Sequence, residues 1–574
     1  MLRFSFKMTR ILVLVLSAFV ILTIAEEENP IVEAPVGKIR GSIFHSRLGR
    51  KIYSFRGVRY AEPPVGERRF KVPVPAADWS DIYDGTQEGP ACTTLSNTTI
   101  SEDCLRLNVY TTQLPSQNAK DEHSKGRPVM VFFHHGGFYA YTGQSRYVGP
   151  QYMMDKDIVL VTLNNRMGSL GFLSTGDSHA PGNMGLKDQV TALRWVQRNI
   201  APFGGDPSSV TIIGYSSGCR SVLLHMVSPM SKGLFHRAIA MSASALLKTP
   251  YPREQRHIAR KQAELLNCPT ESTVSMINCL KTKPVENYTN TLKNFFEWHG
   301  DPILIWSPVV EPEVPGIERF LPAPPEDLIR QGKINAVPLI IGTTKDEFGG
   351  LVTGFDRLYQ QGNTSLFDHL NQNWYTQAPI SFLYEKDTPR SRYISDELRR
   401  YYFNNEPVGP NTYDGLAHIY ADSVVMFLTH RIAQLIAEYS PEPVYFYKFT
   451  YQGRFSFNKW TNSTPYGVVH HDDLQYLFYI KPFFPFFTGT APEVSMVERY
   501  TSMWTNFART SEPIPKDQEI FKNVIWERFS KDKDNYFDIN LEPTMKEGYF
   551  PDRMQFWDRL FPLAPISHSD KCEI

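Results

Sequence analysis

The stretch Val210-Thr211-Ile212-Ile213-Gly214-Tyr215-Ser216-Ser217-Gly218-Cys219 decides how this chain is read. An apolar, β-branched run empties into Gly-x-Ser-x-Gly, and a helix-like segment from Cys219 to Val227 follows at once. That order predicts a strand, a tight turn and a helix. Glycine is needed at 214 and 218 because a Cβ there would meet the neighbouring strand or helix. The turn leaves the Ser216 hydroxyl exposed at its apex, under the N-terminal amides and positive dipole end of the helix. Gly-x-Ser-x-Gly is also a common ordinary turn, so the rest of the chain has to support a catalytic reading.

With 574 residues, 42% hydrophobic and 13% aromatic, the chain can bury a large core. Sixty Lys+Arg balance sixty Asp+Glu with no long run of either sign, which gives no electrostatic footprint for nucleic acid. Near the start, Arg3, Lys7 and Arg10 precede a mainly apolar run over residues 11–24, and Thr23-Ile24-Ala25 stands before Glu26-Glu27-Glu28. This is the pattern of a signal peptide, residues 1–25, cleaved after Ala25. The apolar run falls short of the roughly 20 residues that span a bilayer, so a secreted, extracellular protein with no stable membrane anchor is expected. The C-terminal segment from Ser567 to Ile574 carries neither a lipid-anchor tail nor a KDEL-like signal.

Six cysteines suit an oxidising compartment, and two pairs are close in sequence: Cys92 with Cys104, and Cys268 with Cys279. Both are expected to be disulfides. Cys219 reads as a small buried apolar residue, and Cys572 as free or intermolecular. Sequons at Asn97, Asn287, Asn363 and Asn462 agree with passage through the secretory pathway.

Strand-like runs recur at Val129 to Phe133, Ile158 to Leu163, Val210 to Ile213, Ala238 to Met241, Pro338 to Ile341 and Val444 to Tyr451. Several are continuous in apolar residues, which suits a mostly parallel sheet covered by helices on both faces. Between the second and third runs, Leu186, Val190, Leu193 and Val196 have helical spacing. There is no low-complexity linker and no internal repeat, so residues 26–574 are expected to form a single α/β domain. Residues 250–330 and 350–440 read as long insertions with their own helices, placed to cover or gate a site at the strand ends.

Downstream of Ser216, Leu339-Ile340-Ile341-Gly342-Thr343-Thr344-Lys345-Asp346-Glu347 is a strand ending beside two carboxylates. Further on, Gly467-Val468-Val469-His470-His471-Asp472-Asp473 presents histidine in a polar turn. The order serine, acid, histidine is that of an α/β-hydrolase triad, although pattern leaves Asp346 against Glu347, and His470 against His471, open. Upstream, Val129 to Phe133 runs into His134-His135-Gly136-Gly137-Phe138, which corresponds to a loop whose bare amides donate to a developing oxyanion.

Taken with these motifs, the chain resembles the type-B carboxylesterase (carboxylesterase/cholinesterase) family, in particular its insect members. The resemblance extends over nearly all of the mature chain through Gly57-Val58-Arg59-Tyr60-Ala61, Glu102-Asp103-Cys104-Leu105-Arg106-Leu107-Asn108-Val109, Asn199-Ile200-Ala201-Pro202-Phe203-Gly204-Gly205-Asp206-Pro207 and Ser231-Lys232-Gly233-Leu234-Phe235-His236-Arg237-Ala238-Ile239. It implies an α/β-hydrolase fold and a serine carboxylesterase acting through an acyl-enzyme on a small-molecule ester, without cofactor or metal, as a monomer or homodimer. It implies Ser216 as nucleophile, Glu347 as acid and His470 as base, with Gly136, Gly137 and the amide of Ser217 as the oxyanion hole. The two close cysteine pairs are the disulfides the resemblance implies.

The chain departs from the family beside these residues. Tyr215 and Ser217 flank the serine where relatives often have Glu and Ala, His135 replaces the first glycine of the oxyanion loop, and Ser242-Ala243-Ser244 stands for Ser-Gly-Ser. These are read as specificity changes. No Trp lies between Cys92 and Cys104 to hold a quaternary ammonium, so a choline ester is not the expected substrate. Juvenile-hormone esterases have Gln where this chain has Tyr215, so that identity is not expected either. Tyr60, Phe138, Tyr139 and Tyr215 are candidate pocket aromatics. The competing class is a weak or inactive esterase-like secreted binding or adhesion protein, which typically lacks a triad residue or adds a membrane span.

Overall fold

The computed structural model describes residues 29–95, 98–115, 126–516, 518–521 and 524–563. The signal segment 1–25, Asn97 and Cys572 lie outside the described residues. A small sheet joins β1 (Ile31–Ala34), β2 (Gly37–Arg40) and β5 (Tyr83–Asp84). The large sheet holds β3 (Ser42–His45), β4 (Lys51–Arg59), β6 (Arg106–Thr111), β7 (Arg127–Phe133), β8 (Val159–Leu163) and β9 (Gly205–Tyr215). It continues with β10 (Arg237–Met241), β11 (Leu339–Thr344), β12 (Val444–Phe449), β13 (Asn535–Ile539) and β14 (Thr544–Glu547). Its order is β14-β13-β12-β11-β10-β9-β7-β8-β6-β4-β3.

The strands from β8 through β13 in that order are mutually parallel. Antiparallel strands extend both edges. All six strand-like runs read from the sequence fall in the parallel core, and their continuous apolar character follows from the two cores they serve. Along β7, Val129, Val131 and Phe133 enter one core, while Met130 and Phe132 enter the other. In β12, Val444 and Phe446 face one way, and Tyr445, Tyr447 and Phe449 the other. Successive side chains of a strand alternate faces, so a sheet covered on both sides needs apolar residues at every position. Each fully buried Val, Leu, Ile or Phe contributes about 1.5–3 kcal/mol.

The predicted helix between β8 and β9 spans Met184–Asn199, and the one after Ser216 spans Ser217–Val227. The second lies against β9, β10 and β7 because Gly218 permits it: a Cβ there would stand 2.0 Å from the Phe133 carbonyl oxygen. Gly214 is under the same constraint, with a Cβ 2.1 Å from the Gly218 oxygen. Both insertions carry helices, including Arg256–Leu265 and Thr273–Lys281 in the first and Pro389–Phe403 and Phe427–Tyr439 in the second. Cys92 is bonded to Cys104 (S–S 2.03 Å) and Cys268 to Cys279 (2.07 Å). Among the described residues no helix is long and apolar enough to cross a membrane.

Gly218→Ala is expected to lower the unfolding free energy in urea by about 2 kcal/mol or more, because backbone at both ends of the contact has to move. Gly354→Ala, inside the helix Val352–Gln360 with its nearest neighbour 3.6 Å away, is the control and should be neutral or slightly stabilising. Equal midpoints for the two variants would contradict the packing argument.

Candidate active site

Ser216 caps the N-terminus of the helix Ser217–Val227 with φ 55° and ψ −119°. A non-glycine residue held at positive φ stores about 1–3 kcal/mol and persists only where its surroundings fix it. Here the Ser216 amide donates to the Met241 carbonyl at the end of β10 (2.8 Å), and the Arg220 amide donates to the Ser216 carbonyl (2.9 Å). Cys219 is buried with its thiol 3.2 Å from the Ala243 carbonyl, and burial pushes its pKa well up, so it is a packing residue.

At the end of β11 the two adjacent carboxylates part. Asp346 Oδ2 accepts from the Val468 amide (2.9 Å), pinning the histidine turn, whereas Glu347 is fully buried with Oε2 2.5 Å from His470 Nδ1. Glu347 Oε1 accepts from the Thr344 amide at 2.8 Å. An ionised carboxylate only accepts, so Nδ1 carries the proton and Nε2 is left as the basic nitrogen. That Nε2 is buried with no hydrogen-bond partner among the described residues, and His470 lines the same cavity as Ser216. Phe348 stacks on the imidazole at 4.1 Å.

Burial governs the electrostatics of this pair. It raises the Glu347 pKa to about 7, against the opposing hydrogen bond from the Thr344 amide, and lowers that of His470 to about 3. The two share protons: burial disfavours the net −1 state of the pair, so the first proton is taken near neutrality and the second far below it.

His471 also lines the cavity but is paired with no carboxylate among the described residues. Its amide donates to the Tyr215 hydroxyl (2.8 Å) and its ring packs on His135 at 4.5 Å. The buried Asp473 carboxylate, in the same turn, accepts from the Tyr500 hydroxyl at 2.9 Å. Asp472 accepts from the Val469 amide (3.0 Å), the Phe457 amide (2.9 Å) and the Ser456 hydroxyl (2.7 Å). The turn that carries His470 is therefore held from behind by a phenol and two aspartates.

The structure separates the four candidate pocket aromatics. Phe138 and Tyr139 line the cavity, but Tyr60 donates to the Asn164 carbonyl (2.7 Å) and Tyr215 lies in the opposite core, so neither of these shapes the pocket. His135 likewise sits behind the loop. Gly136 and Gly137, at φ 118° and 60°, face the cavity with Ser216 and Ser217. The cavity has a volume of about 550 Å³, and its far walls come from both insertions, including Ile303, Leu383 and Leu428. Among the described residues no group of His, Cys, Asp and Glu is placed to hold a metal ion. Sequence reading overlooked Arg220, Phe348 and Asp472. The legible signal for Arg220 was a cation one turn into an otherwise apolar helix.

A parallel sheet crossed by antiparallel edges, with a strained serine between the central strand and its helix, defines the α/β-hydrolase class. Within that class the chain belongs to the carboxylesterase family, whose profile, described as "Carboxylesterase family", matches residues 28–557. It is 36% identical over 516 residues to Esterase FE4 of Myzus persicae, covering 88% of each chain. It is 33% identical over 563 residues to the juvenile hormone esterase of Tribolium castaneum, covering 93% of each. The crystal structure of juvenile hormone esterase from Manduca sexta, with OTFP covalently attached, superposes with a TM-score of 0.81 at 28% identity, covering 93% of this chain and all (100%) of that one. The protein is a carboxylic ester hydrolase.

Tyr215→Phe should lower stability in urea by about 1–3 kcal/mol, because it strips the His471 amide of its acceptor. An unchanged unfolding midpoint would mean that this phenol does not hold the turn.

Proposed function

We propose that the protein is a secreted serine carboxylesterase, one domain over residues 26–574 after removal of residues 1–25, acting as a monomer or homodimer. The observation that carries this reading is the Glu347–His470 pair, which leaves Nε2 free in the cavity that the strained Ser216 faces. Ser216 Oγ attacks the ester carbonyl while its proton passes to His470 Nε2, and Glu347 steadies the imidazolium that forms. The amides of Gly136, Gly137 and Ser217 take up the charge on the carbonyl oxygen. Collapse of the tetrahedral intermediate expels the alcohol, which takes the proton back from His470. Water then attacks the acyl-Ser216 ester along the same proton route and releases the carboxylic acid.

Secretion is supported by the N-terminal pattern and by the two disulfides, which suit an oxidising compartment. Asn363 and Asn462 are exposed and suit glycan attachment, Asn287 is half-buried, and Asn97 stands only on its sequon.

The test is stopped-flow hydrolysis of 4-nitrophenyl butyrate. The protein should give a burst of nitrophenolate followed by a steady state. Ser216→Ala should lose about 10⁶-fold in kcat, and Glu347→Gln, which permits the wrong imidazole tautomer, about 10⁴-fold. Turnover that survives Ser216→Ala would overturn the reading.

The pH profile follows from the same pair. The active form is ionised Glu347 with neutral His470, and a raised carboxyl pKa means that this form is lost as pH falls through about 7. Thus kcat/KM should rise through one ionisation near neutrality to a plateau. A midpoint near 4.5, the ordinary value for a glutamate, would contradict it.

A further inference from the structure

Arg220 lies one turn beyond Ser216 in a helix that is buried throughout, and it is 3% exposed. It lines the cavity, yet its Nε and Nη2 are buried with no acceptor among the described residues. The neighbouring buried cations are matched by carboxylates, Arg166 by Asp188 and Lys187 by Glu311, each at 2.7 Å. Arg220 has no such carboxylate among the described residues. Its polar neighbour is Tyr251, whose phenol burial holds neutral.

The other charged groups of the cavity are already engaged. Lys248 Nζ donates to the carbonyls of Phe382 (2.6 Å) and Ser423 (2.5 Å). Glu297 faces Lys386 at 3.9 Å, and Glu385 pairs with Arg390. Ser307 Oγ is a further buried, unpartnered polar atom of a residue lining the same cavity. A guanidinium stays ionised in any protein environment, and an unpaired buried charge is strongly unfavourable. Its planar fork of donors matches a carboxylate.

We propose that Arg220 recognises a free carboxylate on the ester, so that the substrates are anionic esters such as the half-esters of short dicarboxylic acids. This rests on Ser216 being the nucleophile. The spacer is short because Arg220 is one turn from Ser216, its amide bonded to the Ser216 carbonyl (2.9 Å), and both line one cavity. Ser307 supplies a further hydroxyl to the anion.

The experiment compares kcat/KM for mono-4-nitrophenyl adipate and for 4-nitrophenyl hexanoate, which differ by a carboxylate in place of a terminal methyl. The wild-type protein should favour the adipate ester by about tenfold or more, the size of one charge-assisted hydrogen-bonded pair. Arg220→Met should bring that ratio to one or below, and Arg220→Lys should restore part of it. A wild-type ratio at or below one, or a preference that survives Arg220→Met, would overturn the proposal.

Fluorophosphonate labelling of the same preparations reports Ser216 separately. If the protein labels and hydrolyses hexanoate but not adipate, the anion reading fails and the esterase reading stands. If it neither labels nor turns over, the esterase reading fails, and calorimetry with adipate against hexanoate still tests Arg220. Where Arg220→Met does not fold, slower labelling of the wild type in adipate than in hexanoate supports the proposal, and equal rates overturn it.

Discussion

The site depends on one close approach, that of Gly218 to the carbonyl of Phe133. No Cβ fits there, since it would lie 2.0 Å from the oxygen, so the helix after Ser216 can press its first turn against the end of β7. Two consequences meet at that point. Ser216 is held at positive φ, and the Gly136-Gly137 loop that leaves β7 lines the same cavity. In the proposed mechanism the attacking group and the amides that receive the oxyanion are positioned by the same packing contact.

A second constraint is dielectric. Glu347 and His470 sit where burial disfavours charge, and the hydrogen bonds around the carboxylate offset that only in part. In the proposed mechanism a pair so placed gains from the cation that would form on the imidazole during attack, because the carboxylate charge is already there to meet it. The scaffold behind the pair is also polar and buried. Tyr215 ties the histidine turn to the sheet, Asp472 ties it to the Ser456-Phe457 segment and Asp473 to Tyr500, and a neutral phenol at 215 does this without placing another negative charge beside His470.

Much of this was legible in the residues. Runs such as Val129 to Phe133 announced strands buried on both faces, and the chain order of serine, acid and histidine announced the fold. The antiparallel edges were not legible for physical reasons: β4 mixes Lys51, Ser54, Arg56 and Arg59 into its run and shifts register between Phe55 and Val58, and β14 exposes nearly every side chain. Adjacent residues of one type could not be told apart by pattern. The path of the chain after β11, which turns Asp346 toward the Val468 amide and Glu347 toward His470, separates the carboxylates. Tyr215 was read as a pocket residue because alternation along β9 cannot be phased from sequence; in the structure it points into the opposite core. Arg220 was legible only as a cation in an apolar helix, and its burial without a partner needed the three-dimensional packing.

The central claim is that Ser216 is the nucleophile made available by this elbow. The most direct measurement is tandem mass spectrometry of the folded protein after reaction with a fluorophosphonate. The account expects one adduct, on the peptide that contains Ser216, formed much more slowly when Glu347 is replaced by Gln. An adduct on another side chain, or none on a folded protein, would contradict it.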